Sequence, residues 1–361
     1  MALAYAYYPY TLQFTFAAGT SRGVLREKKT WFLKLWDEQT PEVFGLGEAG
    51  PLVGLSIDDR PEMRAVLEGL QERIAQADVP TNVEEVYPWV QGLVSAEWPS
   101  IRFGLETAML DLLHGGQRRI IDTPFVRWER TILINGLVWM GDAPTMQARL
   151  EEKLAQGFTT IKVKIGAIDF EEELRLLALV RERFEPDQIT LRVDANGAFS
   201  PEEAPQKLKQ LAEFQLHSIE QPIMAGQWQT LAALCADTPI PIALNEELIG
   251  VHEQARKAEV LDTIQPQFII LKPTLVGGLY SSTEWIELAR ARGIDYWMTS
   301  ALESNVGLNA VAQFTDSFDP VLPSGLGTGQ LYHNNILSPL AQSGGYLRYG
   351  SEEAWDFSGV F

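Results

Sequence analysis

From about residue 130 onward the chain repeats one grammar: a short apolar, often β-branched run, a turn, then an amphipathic helical stretch. Candidate strands at 132–134, 159–165, 189–193, 218–219, 242–244, 268–271 and 296–299 alternate with helical patterns at 143–156, 170–184, 201–214, 227–235, near Gln254, at 280–292 and at 307–314. Each cycle takes roughly 25 to 30 residues, enough for one strand and the helix that carries the chain back to lay the next strand parallel. Seven such cycles in about 200 residues predict a closed parallel barrel of α/β class. An open doubly wound sheet is the competing arrangement. No Gly-x-Gly-x-x-Gly follows the first strand of the repeat, so the dinucleotide fingerprint of such sheets is missing.

The first third reads differently. Residues 7–50 are strand-like, with alternating or apolar runs at 13–16 and 30–36 and turns at Gly19 and Gly23. Helical spacing follows at 60–77 and 102–113, with a two-proline connection over 78–88 between them. This predicts an α+β unit over 1–125, a barrel over 126–325, and a Gly-, Ser- and aromatic-rich segment over 326–361 that packs back on the first unit. With 46% hydrophobic and 21% charged residues, the chain has the composition of a folded globular protein.

A net charge of -19, from 48 acidic and 29 basic residues, opposes binding to nucleic acid or to an anionic membrane surface. The one cysteine, Cys235, has no partner for a disulfide and lies in an apolar helical pattern where a thiol packs. No apolar run reaches the ~18 residues a bilayer requires, and the N-terminus has no basic start followed by an apolar stretch. A cytoplasmic protein acting on a small molecule, as a monomer or homo-oligomer, is the expectation.

In a parallel barrel the chemistry collects at the C-terminal ends of the strands. Lys162 and Lys164, two apart, share one face of their strand. The following strands end in Asp194 with Asn196, in Glu220, in Asn245, Glu246 and Glu247, in Lys272, and in the run 300–305, which holds Ser300, Glu303 and Ser304. Asp194, Glu220 and Glu246 are each 26 residues apart, one carboxylate per barrel unit. Three adjacent carboxylates repel one another unless a divalent cation lies between them. Hard oxygen donors, with no second cysteine and with His114, His217, His252 and His333 scattered, favour Mg²⁺ or Mn²⁺ over zinc. Lysines flanking such a cation have their ammonium form disfavoured and suit removal of a proton α to a carboxylate.

Lys162-Val163-Lys164, Val193-Asp194-Ala195-Asn196, Ile219-Glu220-Gln221-Pro222, Asn245-Glu246-Glu247 and Leu271-Lys272-Pro273 occur in an order that resembles the muconate-lactonizing subgroup of the enolase superfamily. Within it, residues 47–52, 102–107, 134–137 and 300–307 are most similar to the o-succinylbenzoate synthases. The resemblance covers essentially the whole chain. It implies a (β/α)7β TIM-like barrel with an N-terminal α+β capping domain, whose loops at 19–25 and 51–55 close over the substrate. It further implies that Lys164 takes the α-proton and then helps expel a hydroxyl as water, that Lys272 stabilises the enediolate from the opposite side, and that Lys162 assists Lys164.

By the same resemblance Asp194 and Glu220 bind Mg²⁺. The family usually carries Asp-Glu where this chain has Asn245-Glu246, so Asn245 aligns with the third ligand and Glu246 stands beside it as the alternative. Arg22, Ser300, Glu303 and Ser304 are the candidate substrate contacts. The implied reaction is dehydration of 2-succinyl-6-hydroxy-2,4-cyclohexadiene-1-carboxylate to o-succinylbenzoate. Racemisation of N-acylamino acids or epimerisation of dipeptides is the sibling chemistry, and the Asp-x-Asp common to such epimerases is absent from 296–305. A catalytically impaired binding barrel, with Asn245 as its mark, is the reading from outside enzymology.

Overall fold

The structure, a computed structural model, describes residues 2–20, 23–350 and 354–361. The chain opens with three antiparallel strands, β1 (Leu3–Thr20), β2 (Gly23–Asp37) and β3 (Phe44–Ala49), in that order across the sheet. The register of β1 against β2 shifts between Gln13 and Ala18, and such a bulge bends a long hairpin. Three helices follow: α1 (Met63–Gln76), α2 (Val86–Leu93) and α3 (Pro99–Leu113). Helix α1 buries Met63, Leu67, Leu70 and Ile74, the one-sided stripe that its spacing predicts. Helix α2 falls partly in the stretch read as a connection. Its Pro88 sits in the first turn, where the missing N–H has no intrahelical acceptor to satisfy, so proline does not break the helix there.

The barrel runs β4 (Ile132–Leu133), β5 (Gly136–Val138), α4 (Ala143–Ala155), β6 (Thr160–Lys164), α5 (Phe170–Arg181), β7 (Thr190–Asp194), α6 (Ala204–Ala212), β8 (Ser218–Glu220), α7 (Trp228–Ala236), β9 (Ile242–Leu244), α8 (Gln254–Ile264), β10 (Phe268–Leu271), α9 (Pro273–Val276), α10 (Leu279–Arg290), β11 (Asp295–Met298) and α11 (Asn305–Asp316). Strands β5 to β11 form one seven-stranded sheet in sequence order, every neighbouring pair parallel. The expected strand at 132–134 does not begin this sheet. Its β4 pairs instead with the C-terminal hairpin of β12 (Leu340–Ser343) and β13 (Tyr346–Tyr349), and the barrel proper starts at Gly136.

The sheet is closed by two residues with no strand pattern around them. Ser324 bridges Ile134 and Gly325 bridges Thr299, both parallel, and this extended segment spans the seam between the first and last strands. Gly325 has to be glycine, because a Cβ there would lie 2.2 Å from Thr299 Oγ1. Near the C-terminus, Phe357 and Phe361 pack on Phe44, and Phe361 also on Tyr8, against the N-terminal sheet.

Two carboxylates from the N-terminal unit cap barrel helices. Glu48 of β3 accepts from Ser304 N (3.0 Å) and Gly307 N (3.0 Å) at the start of α11, and from the Ser304 hydroxyl (2.5 Å). Glu106 of α3 accepts from Leu279 N (2.6 Å) and Tyr280 N (2.9 Å) at the start of α10. Each satisfies amides that a helix N-terminus leaves open and places negative charge at the positive end of the dipole. Gly278 (φ 103) lets the Glu106 carboxylate approach, since a Cβ at 278 would sit 2.2 Å from Glu106 Oε2.

Burial of Glu106 outweighs its two amide donors and Arg102, and raises its pKa from 4.5 to about 7. The folded state therefore holds that proton more tightly than the unfolded chain does. Stability from this group is fully present below about pH 4.5 and is lost as pH rises through about 7. Thermal unfolding at about pH 5 and about pH 8.5 should show a larger fall in midpoint for the native chain than for Glu106→Gln. Equal falls would rule out this group as a source of alkaline instability.

Candidate active site

Parallel register brings the charged strand ends together. Lys164 of β6 is the cross-strand partner of Asp194 on β7, and Asp194 that of Glu220 on β8. Inward alternation places Lys162 beneath Lys164 on the same face. Lys162 Nζ lies 2.9 Å from Asp194 Oδ2 and 2.6 Å from Glu220 Oε2. Lys164 Nζ lies 3.1 Å from the same Asp194 oxygen and 2.8 Å from Asn196 Oδ1, under the ring of Trp139 with its centroid 6.0 Å away. Asn196 occupies a left-handed conformation (φ 46) that asparagine tolerates, and its amide donates to Glu246 Oε1 at 2.9 Å.

The 26-residue spacing brings two of its three carboxylates together. Asp194 and Glu220 are both buried and adjacent, while next to Glu220 stands Asn245, whose Nδ2 donates to Glu220 Oε1 at 2.5 Å. Glu246 is turned toward Asn196. Among the described residues no group of three His, Cys, Asp or Glu side chains is arranged to hold a metal ion. Glu247 is a brace, accepting from Gly226 N (2.9 Å) and Gln221 Nε2 (3.3 Å).

The electrostatics follow from crowding. Burial alone would raise Asp194, but Lys162 and Lys164 outweigh it and hold the carboxyl well below the usual range. Burial, then the Asp194 charge, push Glu220 upward. Burial works to lower Lys162, yet Asp194 and Glu220 together raise it, so this amine is held firmly as ammonium. Lys272 behaves in the opposite way: burial dominates and lowers its pKa despite the nearby charges of Glu246 and Glu220. The expected weakening of an ammonium thus falls on Lys272, which among the described residues has no ion pair within 4.0 Å to oppose it.

Lys162, Lys164, Asp194, Asn196, Lys272 and Ser300 all line one cavity of about 640 Å³. Its roof comes from the N-terminal unit, with Thr20, Gly23 and Leu25 from the paired end of the β1–β2 hairpin and Leu52, Val53 and Gly54 from the segment after β3. These are the two segments expected over a substrate. Arg22 lies outside the described residues. Glu303 and Ser304 do not line the cavity. Glu303 is fully buried and accepts from Thr274 Oγ1, Ser300 Oγ and Ala301 N, while the Ser304 hydroxyl binds Glu48. Trp139, Thr274 and Lys28 were not singled out in the sequence, and Glu48 entered it only within the stretch 47–52, because their partners lie on segments remote in the chain.

Residues 145–348 match the family described as enolase C-terminal domain-like. An o-succinylbenzoate synthase from Desulfotalea psychrophila is 48% identical over 351 residues, 91% of this chain and 94% of that protein. The chain belongs to the o-succinylbenzoate synthase family. The crystal structure of MenC from Desulfotalea psychrophila superposes on it with a TM-score of 0.85 at 43% identity, covering 96% of this chain and 100% of that one. The L-Ala-D/L-Glu epimerase of Bacillus subtilis gives a TM-score of 0.84 at 19% identity, covering 100% of both chains, a likeness of fold.

The enolase superfamily implies a divalent cation, and the donors of this o-succinylbenzoate synthase family member fit one. Asp194 and Glu220 present buried hard oxygens side by side, and the repulsion between them is what a cation relieves. Asn245 completes the corner with an amide. Its nitrogen now faces Glu220, and half a turn of the amide would present its oxygen instead. An amide oxygen adds no formal charge, so affinity should be lower than with three carboxylates. Titration by calorimetry, or by Mn²⁺ electron paramagnetic resonance, should show Asn245→Asp binding the ion roughly tenfold or more tighter, about 1.4 kcal/mol. The metal-free variant should melt below the native chain, because a third buried carboxylate then stands uncompensated. Unchanged affinity would exclude position 245 from the ion's coordination.

Proposed function

We propose that this chain is an o-succinylbenzoate synthase. It dehydrates 2-succinyl-6-hydroxy-2,4-cyclohexadiene-1-carboxylate to o-succinylbenzoate, a lyase step of menaquinone biosynthesis. The observation that carries this reading is the presence of Lys164 and Lys272 in one cavity of a chain nearly half identical to a synthase of that name.

Asp194 and Glu220, with Asn245, would hold Mg²⁺, and the ion supplies positive charge that makes the proton next to a bound carboxylate more acidic. Lys164, reached from the cavity and steadied by Asn196, removes that proton. The protonated Lys164 then donates to the departing hydroxyl on the same face, giving a syn elimination. Lys272 offers N–H donors to the developing anion from the other wall, and an anion there would in turn favour its ammonium form, which burial disfavours. Lys162, held as ammonium between Asp194 and Glu220, shares the Asp194 oxygen with Lys164 and so weakens the pull of that carboxylate on the Lys164 amine. The ring formed becomes aromatic, which supplies driving force.

The apolar part of the cavity suits the ring: Trp139, Leu25 and Leu52 line it, and Phe16 meets Trp139 edge-on at 6.0 Å. The full set of lysines argues against an inert barrel. Among the described residues no helix is long and apolar enough to cross a membrane.

A spectrophotometric assay with the cyclohexadiene substrate and Mg²⁺ should show turnover that Lys164→Ala lowers by at least about a thousandfold, with Mg²⁺ affinity retained. Turnover of N-succinylamino acids with none of the cyclohexadiene would replace the synthase with a racemase. Intact Mg²⁺ binding with no turnover of either would leave a binding barrel.

A further inference from the structure

Lys272 is carried on a short connection, α9 and the Gly277-Gly278 bend, that runs from the end of β10 to α10. A loop at this place would ordinarily be free to drift. Here it is pinned at both ends by buried carboxylates. At its far end the backbone amides of Leu279 and Tyr280 are held by Glu106, which reaches in from α3 of the N-terminal unit. At its near end Thr274, two residues after Lys272 and fully buried, donates its hydroxyl to Glu303 Oε1 at 2.5 Å. The Lys272 carbonyl accepts from Leu275 N at 2.8 Å and Val276 N at 3.2 Å, so the turn begins at the amine-bearing residue itself.

Glu303 comes from the neighbouring strand end. Its other oxygen accepts from the Ser300 hydroxyl (2.5 Å) and Ala301 N (2.8 Å), so one carboxylate joins the loop of Lys272 to the cavity-lining loop of Ser300. That second loop is itself under tension. Leu302 has a left-handed backbone (φ 63), a conformation that persists in a leucine only where the surroundings over-determine it. They do so here. Leu302 O accepts from Lys28 Nζ (2.9 Å) and Tyr332 OH (2.7 Å), Leu302 N donates to Ser300 Oγ (2.9 Å), and Lys28 Nζ also donates to Ala301 O (2.9 Å). Lys28 is a fully enclosed residue of β2, and its ammonium has the Glu303 and Glu48 charges for company.

We propose that Thr274 and Glu303 are positioning residues for Lys272: they fix the direction in which the loop after β10 presents its amine, and Lys28 ties that setting to the N-terminal unit. This rests on Lys272 facing the substrate as described under Proposed function. The carboxylate touches no cavity surface, so it acts only through the loops it joins.

The test uses the full-length, Mg²⁺-loaded protein and the cyclohexadiene substrate. Thr274→Val keeps the shape of the side chain and removes the hydroxyl. It should lower kcat by about tenfold to a hundredfold while KM stays within about twofold, since a small misplacement of a reacting group costs rate and not affinity. Thr274→Ser, which restores the hydroxyl, should return kcat to within about twofold of the native value. Amide exchange over 272–279 should quicken in the valine variant while exchange over 160–165 does not. If Thr274→Val does not fold, comparing Thr274→Ser with Thr274→Ala isolates the same hydroxyl. Native kcat in the valine variant, or a serine variant as impaired as the valine or alanine one, overturns the proposal. Lys272→Ala run in parallel separates the two readings. If it remains active, Lys272 has no role and the mechanism itself fails; if it is inactive while Thr274→Val is native-like, only the positioning claim falls.

Discussion

Four charged groups, Lys162, Lys164, Asp194 and Glu220, are in direct contact at the top of this barrel, and none of them is stable there alone. A buried carboxylate or ammonium costs several kcal/mol unless it is paired and hydrogen-bonded. Asp194 and Glu220 are tolerable because Lys162 bridges them and Lys164 adds a contact to Asp194; Lys162 keeps its charge because the two carboxylates surround it. What sets these distances is the parallel ladder, which makes Lys164, Asp194 and Glu220 successive neighbours across three strands. A slip of one residue in any of those strands would turn its charged end out of the barrel and leave the others unpaired. The site and the register therefore enforce each other.

The N-terminal unit belongs to the same bargain. Glu48 and Glu106 place carboxylates on the first turns of two barrel helices, and Lys28 supplies an ammonium to carbonyls of the loop between them. Removing either carboxylate would leave buried amides without acceptors, a cost larger than the net worth of the bonds themselves. The unit is thereby fixed to the rim from which Lys272 and Ser300 enter the cavity. Its two loops over the opening hang from a rigid base, the arrangement an enzyme needs if closure is to exclude water without disturbing the amines beneath.

The barrel was legible because its periods are strong: short β-branched runs, helical stretches and the equal steps from Asp194 to Glu220 to Glu246 all express one repeating unit. Lys162, Lys164, Asp194 and Lys272 were legible because a charged residue ending an apolar strand has few other reasons to be there. The third member of the equal step is placed differently for a local reason. Asn245, directly after β9, is the residue that reaches Glu220, and the chain then turns into a single 3₁₀ turn that carries Glu246 toward Asn196. The seam at Ser324 and Gly325 was not legible, since two residues of extended chain carry no period. Nor were the buried braces. Glu48 and Ser304 are 256 residues apart, and no local pattern announces a contact of that kind. Glu303 and Ser304 stood out in the sequence for their polarity at a strand end, and their polarity is spent on holding loops.

The overall charge of -19 and a dianionic substrate look incompatible until distance is considered. Surface charges are screened beyond about 8 Å at physiological ionic strength, whereas buried and partly buried groups lining a cavity are screened much less. At the chemical end of that cavity Lys162, Lys164 and Lys272 offset Asp194, Glu220 and Glu246, so the negative charge of the protein as a whole is not repeated there, and a divalent cation would tip the local field toward an anion. Asn245 shifts this balance further. An aspartate there would strengthen the hold on a divalent cation and would also add a negative charge close to the substrate carboxylate. With the amide, a cation bound as proposed would be held by two formal charges and the anion would meet one fewer. On that proposal the residue at 245 would exchange affinity for the ion against affinity for the acid.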